Sequence, residues 1–354
     1  MMSNRARRWN LILAALCITS CSTDADPATL SGDGGQLAVP ADAQPESGGS
    51  PRALELLLSE TDLYADISIG KLAAGVQEFR PAYFLWTDSA TKRRFVRLPP
   101  GESIDSSDMD YWRYPIGMTL WKEFSRENSE GISVRLETRM MRKVADGDWQ
   151  MIAYVWRDDL SDADAAPNGL SDARGTQHEV PSETDCRSCH RAIPDNVLGF
   201  TAIQLSHDYG GVDLQQLIDE GRLSPPPTQG FSLPGDPTAQ LALGYLHANC
   251  GHCHNPLSPF SWDTVTDQLS FWLETASIST VTETSTFQSV GFRTQTATAG
   301  LPPWRIAAGN ADDSSVVYRM ATRDPDLQMP QLGTEVVDTA GLAAVTAWVE
   351  SLQP

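Results

Sequence analysis

The sequence predicts an α+β multidomain protein, with an N-terminal antiparallel β-rich domain followed by a mainly α-helical region, and three observations predict it. Segments between residues 52 and 165 alternate apolar and polar side chains with a period of two. Helical spacing appears in two stretches, one from Asp236 into Cys250 and one over Thr339 to Leu352. In the second half stand two copies of one pattern, Cys186-Arg187-Ser188-Cys189-His190 and Cys250-Gly251-His252-Cys253-His254.

The chain opens with Arg5, Arg7 and Arg8, then the apolar run Leu11 to Ile18, then Thr19 and Ser20 before Cys21. Residues 1–20 read as a secretory signal, too short to span a bilayer. Ile18-Thr19-Ser20-Cys21 is similar to the lipobox of bacterial lipoproteins, so Cys21 is expected to carry lipid, with an ordinary cleaved signal as the alternative. The expected location is the periplasmic face of a bacterial membrane, the outer membrane foremost. Residues 21–51 are rich in Gly, Ala, Asp, Ser and Pro and poor in large apolar side chains, the composition of a flexible tether.

The β-rich domain is expected over 52–165, beginning with a short helix near Leu54 to Leu57. Ile132 to Val144 puts Val134, Leu136, Thr138 and Met140 on one face and Arg135, Glu137 and Arg139 on the other. Trp149 to Trp156 follows an Asp146-Gly147-Asp148 turn. This predicts a hairpin with one wet face. Tyr83 to Leu98 and Met118 to Phe124 share the character and extend it to an antiparallel sheet or small sandwich. Its role is either a scaffold that covers part of the second region or a module for a substrate or partner.

Residues 166–233 form the first motif segment, with a polar link over Ser161 to Thr184, a helix over Leu214 to Glu220 and a turn at Pro225-Pro226-Pro227. In residues 234–354, Asp236 can cap a helix whose Ala239, Leu241, Leu243, Tyr245 and Leu246 run into Cys250. Leu342, Val345, Trp348 and Val349 mark a terminal helix packed across it. A Thr- and Ser-rich insertion surrounds Thr280 to Thr298.

Cys-x-x-Cys-His is the attachment site of c-type haem. Two thiols one helical turn apart match the two vinyl groups, and the adjacent imidazole lies under the iron. Both copies predict two covalently bound haem c groups, on Cys186 and Cys189 and on Cys250 and Cys253, with His190 and His254 as iron ligands. The second region is thus expected to be a mainly α-helical di-haem cytochrome c region. A disulfide or a zinc site would leave both histidines unexplained.

The opposite face of each iron decides between electron transfer and small-molecule chemistry. Met329, followed by Pro330 on an irregular loop before the last helix, is the candidate for the second iron. The first has no local Met. His207, His178, Met118 and Met151 are candidates, and an open iron is the alternative. His247 and His252 read as surface or propionate-side residues. The first segment is too short to enclose a haem alone and is expected to pack it between the sheet and the second haem region.

Taken together, these residues resemble a family of largely uncharacterised bacterial di-haem c-type cytochromes with an N-terminal strand-rich region. The resemblance covers roughly 56–352. It rests on Leu58-Ser59-Glu60, Lys92-Arg93-Arg94-Phe95, Tyr114-Pro115-Ile116-Gly117, Glu137-Thr138-Arg139, Pro181-Ser182, both motifs with Asn249 and Asn255-Pro256, and Met329-Pro330 before Leu332-Gly333. It implies haem binding and electron transfer and gives no substrate. Ser258 to Ala299 and His207 depart from the pattern.

Removing the signal arginines takes the formal charge from −20 to −23. This argues against nucleic acid as a partner and suits equally a basic redox partner protein or a generally solvated acidic exterior. The leading expectation is an exported electron-transfer lipoprotein, held to the membrane by lipid at Cys21. The alternatives are a di-haem enzyme such as a peroxidase with an open first haem, and a haem-based sensor.

Overall fold

The computed structural model describes residues 54–128, 130–259, 269–294 and 300–354. The expected signal, Cys21, the whole of the tether and part of the 258–299 insertion lie outside the described residues.

The largest element is a six-stranded antiparallel sheet of β1 (Gln77–Phe79), β2 (Thr91–Arg97), β3 (Thr119–Glu127), β4 (Ser133–Ala145), β5 (Asp148–Trp156) and β6 (Ala163–Ala165), in sequential order. Local order follows from the sequence: β-branched and aromatic residues fill the long strands, and Asp146-Gly147 joins β4 to β5 with Gly147 at φ +69°. The polar link contributes the edge strand β6. The helix expected near Leu54 to Leu57 is instead a 3-10 turn at Leu58–Glu60.

The two faces of the sheet carry different cores. Phe95, Trp121, Met140, Ile152 and Tyr154 pack with Leu58, Leu63 and Trp156 on one side. On the other, Val96, Leu120 and Met151 pack with Phe200, Leu205, Leu214 and Leu217 from the segment after the first motif. The expectation of a wet face is therefore overturned. Glu137 and Thr138, neighbours on opposite faces of β4, are both fully buried. Alternation marks two unlike faces, and the charged one is covered by the chain after residue 166.

Six α-helices follow among the described residues: α1 (Glu183–His190), α2 (Ala202–Leu205), α3 (Leu214–Asp219), α4 (Pro237–Asn249), α5 (Ser315–Ala321) and α6 (Thr339–Ser351). Only α4 and α6 reach 13 residues. The expectation of a mainly α-helical cytochrome region is contradicted: the molecule is strand-rich, and much of its second half is turns and irregular chain. Between α4 and α5 the backbone is held by local side-chain bonds, such as Thr284 Oγ1 to the Val281 carbonyl (2.7 Å) and Ser314 Oγ to the Asn310 carbonyl (2.8 Å). Such bonds compete with helix formation.

The two long helices follow their caps. Asp236 accepts from Ala239 N and Asp338 from Gly341 N. Ala242, Leu243 and Leu246 of α4 meet Val345, Trp348 and Val349 of α6. The crossing is close because α6 has no side chain at Gly341, where a Cβ would lie 2.0 Å from the Tyr245 ring. Residues 51–354 form one compact unit.

Candidate functional site

Helix α1 carries the first motif. Ser182 caps it, its hydroxyl accepting from Asp185 N while the Asp185 carboxylate accepts from Ser182 N. Cys186 and Cys189, three residues apart, share one face of this helix. Cys186 packs against the core that contains Met118 and Met151. His190 ends the helix, and its Nδ1 lies 2.7 Å from the Asn196 carbonyl oxygen. That oxygen can only accept, so Nδ1 carries the proton and Nε2 keeps its lone pair. Burial, reinforced by Lys122 and Arg139, lowers the His190 pKa to about 4 and keeps the ring neutral.

The chain around Asn196 is fixed to the sheet by Asp195. Its carboxylate accepts from Lys143 Nζ (2.7 Å), Trp149 Nε1 (2.9 Å) and Tyr114 N (2.7 Å). Asp195 and Asn196 both have positive φ, which Asp and Asn tolerate better than most residues. The Pro-Asp-Asn run is a turn signal in the sequence. Nothing in it identifies Asp195 as the counter-ion of a buried lysine.

The second motif forms the turn that ends α4, with His254 N donating to the Cys250 carbonyl (2.8 Å). Gly251 is required there, since a Cβ would come within 2.6 Å of the His247 carbonyl. Asn249 anchors the turn to the irregular chain before β2, accepting from Trp86 N (2.7 Å) and donating to the Phe84 carbonyl (3.0 Å). His254 packs edge-on to Phe271, and burial, with Arg319 and Arg305 nearby, lowers its pKa to about 4.

All four motif cysteines are free thiols. Burial pushes Cys186 and Cys253 up to about 11 and Cys250 up to about 12, and raises Cys189 as well. These donors fit haem c: two reduced thiols a helical turn apart and a neutral imidazole in each motif. Among the described residues no group of three or more His, Cys, Asp and Glu is placed to hold a bare metal ion.

The fold brings the motifs together. Asn255 donates through Nδ2 to the Ala192 carbonyl (3.1 Å), two residues past His190. Cys189 lies near enough to raise the Cys253 thiol, and His190 near enough to oppose protonation of His252.

The expected distal ligands divide. Met329 is half-buried on a loop fixed to α5: Met329 N donates to the Arg319 carbonyl (2.9 Å), and Arg319 Nη1 donates to the Leu327 carbonyl (3.0 Å). The same Arg319 influences His254, so this loop lies on the second motif's side. His207 has both ring nitrogens engaged, Nε2 with the Arg80 carbonyl (2.5 Å) and Nδ1 with Tyr209 N (3.3 Å). His178 Nε2 bonds Glu137 (2.7 Å) inside the core. His247 and His252 are not surface residues, being 2 % and 9 % exposed. His247 accepts from Leu273 N (3.1 Å) at Nδ1, and His252 leaves Nδ1 without a partner.

A small cavity of about 40 Å³ is lined from the charged face of the sheet and from the second motif. Arg94, Lys122, Thr201, His247, His252 and Trp272 line it. Arg94, Lys122 and Arg139 stand directly opposite one another on β2, β3 and β4. Adjacent like charges across strands are destabilising. Sequence reasoning missed this row because strand register is not written in any one strand.

Comparisons with family models, with curated proteins and with solved structures return no match to this chain.

Proposed function

We propose that this chain is an exported di-haem c-type cytochrome that passes single electrons between two covalently bound haems and a redox partner protein. The observation that carries the reading is the His190 ring, which gives its Nδ1 proton to the Asn196 carbonyl and keeps Nε2 free beside two reduced thiols. A backbone acceptor on the far nitrogen is the partner an iron-bound imidazole requires. Cys186 and Cys189 would hold one haem and Cys250 and Cys253 the other, with His190 and His254 as iron ligands and Met329 as a further ligand in the second site. Haem supplies a reversible Fe(III)/Fe(II) couple. The protein's part is to bury the thiols, keep both imidazoles neutral and hold the motifs side by side through Asn255. The resemblance to bacterial di-haem cytochromes supports the same reading. Lipid at Cys21 would place the protein on the periplasmic face of a membrane.

A second reading, a di-haem enzyme such as a peroxidase with an open first haem, has one observation in its favour. His207 and His178, the imidazoles nearest the first motif in sequence, are committed to other partners. Absorbance spectra with and without carbon monoxide separate the two. Two six-coordinate low-spin haems support the carrier, and a high-spin haem that reacts with peroxide supports the enzyme.

A further inference from the structure

Buried cations in this molecule ordinarily have a carboxylate within reach. Arg142, 6 % exposed, meets Glu55 at 2.6 Å, and Lys143, 3 % exposed, meets Asp195 at 2.7 Å. Arg139 pairs with Glu137 at 2.5 Å, and Glu137 also holds His178. Buried Arg94 and half-buried Lys122 break the rule. Arg94 is 6 % exposed and rests over the Phe84 ring, and Lys122 lies over the Phe124 ring. Among the described residues neither has a carboxylate oxygen at ion-pair distance. Their strongest charged neighbours are other cations, Arg80 for Arg94 and Arg94, Lys92 and Arg139 for Lys122. Glu137, the acid that reaches Lys122, is already shared between Arg139 and His178.

Both side chains line the cavity that opens onto His252 of the second motif and onto Thr201 beyond the first. Lys122 also lies close enough to His190 and Cys189 to influence both. Burial and the neighbouring Arg94, Lys92 and Arg139 push the Lys122 pKa well below the ordinary lysine range, so an anion brought by an occupant would offset the charge of Arg94 and favour the charged form of Lys122. Resting on the haem reading above, we propose that Arg94 and Lys122 receive haem propionates, whose carboxylates supply the missing negative charge. Charge-assisted bonds of this kind are the strong ones, and Arg suits them by its forked geometry. The row then anchors the haems at a second point, away from the thioether links, and its positive charge favours the reduced iron.

The test uses the full chain matured with haem whose propionate carbons are isotopically labelled, by reduced-minus-oxidised infrared spectroscopy and redox titration. In Arg94→Gln and Lys122→Gln, with both haems retained by intact mass, the labelled carboxylate bands shift and the midpoint potential of one haem falls. Arg94→Lys keeps the potential near that of the parent. Unchanged bands and potentials in the Gln variants overturn the proposal. If those variants do not fold, the parent decides: paired propionates stay ionised on acidification below the ordinary carboxylate range, and protonation within that range overturns it. A parent chain without haem would instead remove the haem reading on which this rests.

Discussion

The Asn255 side chain, one residue past the second motif, donates to the carbonyl of Ala192, two residues past the first, at 3.1 Å. Its Nδ2 also reaches the carbonyls of Gly251 (3.1 Å) and His252 (3.0 Å), and its Oδ1 accepts from Leu257 N (3.0 Å). One buried amide thus closes the second turn and ties it to the first. Removing it leaves buried backbone groups unpaired, at about 1–3 kcal/mol. Asn255→Ala is expected to lower the unfolding free energy, measured by urea titration, by that amount while two haems remain attached, as intact mass would show.

Glu137 is a fully buried acid whose ionisation is tied to stability. Burial pushes its pKa up, but Arg139 and His178 outweigh burial and hold it below the usual carboxylate range. Its contribution to stability is complete above the unfolded value of about 4.3 and is lost as pH falls through the lower folded value. Glu137→Gln leaves half-buried Arg139 without its counter-ion and weakens the buried bond to His178, so it should cost about 1–3 kcal/mol at neutral pH. The variant should also show a flatter fall in stability on the acid side, measured by denaturant titration across pH.

The alternation through Leu136, Thr138 and Met140 made the β4–β5 hairpin legible, and the caps Asp236 and Asp338 made α4 and α6 legible. The motifs were legible because Cys-x-x-Cys-His is a pattern of contiguous residues. What was not legible depends on distant pairing. Arg94, Lys122 and Arg139 form a row only through strand register, and Asp195 becomes a counter-ion only when its turn lands on Lys143 and Trp149. The helical expectation for the second half failed because its irregular chain is ordered by single side-chain-to-backbone bonds, which leave no period in the sequence.

Gly341 tests the crossing of α6 over α4. A Cβ there would meet Tyr245 ring atoms at 2.0–2.3 Å, and the ring is already packed in the core. Gly341→Ala is expected to destabilise by about 1–3 kcal/mol through overpacking, despite the better helix propensity of Ala. A higher melting temperature would contradict this packing.

His247 gives a second pH signature. Burial, and His252 beside it, lower its pKa to about 3, and protonation at Nδ1 would break the bond from Leu273 N. Above the unfolded value of about 6.5 the ring is neutral in both states and adds no pH dependence. Below it the unfolded chain takes the proton first, so stability falls by roughly 1.4 kcal/mol per pH unit down toward pH 3. His247→Asn, whose Oδ1 can accept from Leu273 N, should flatten that limb in denaturant titrations.

Met329 is expected to bind the second iron. Met329→Ala should convert one haem to high spin with both still attached. Unchanged absorbance spectra would remove Met329 from the iron.

The central claim is that both Cys-x-x-Cys-His motifs hold haem covalently. The direct measurement is the intact mass of the chain after expression in a host that matures c-type cytochromes, with a haem-dependent peroxidase stain on a denaturing gel. The account predicts the mass of the processed polypeptide plus two haems, and a stained band. A chain of polypeptide mass alone, with no stain, would contradict it.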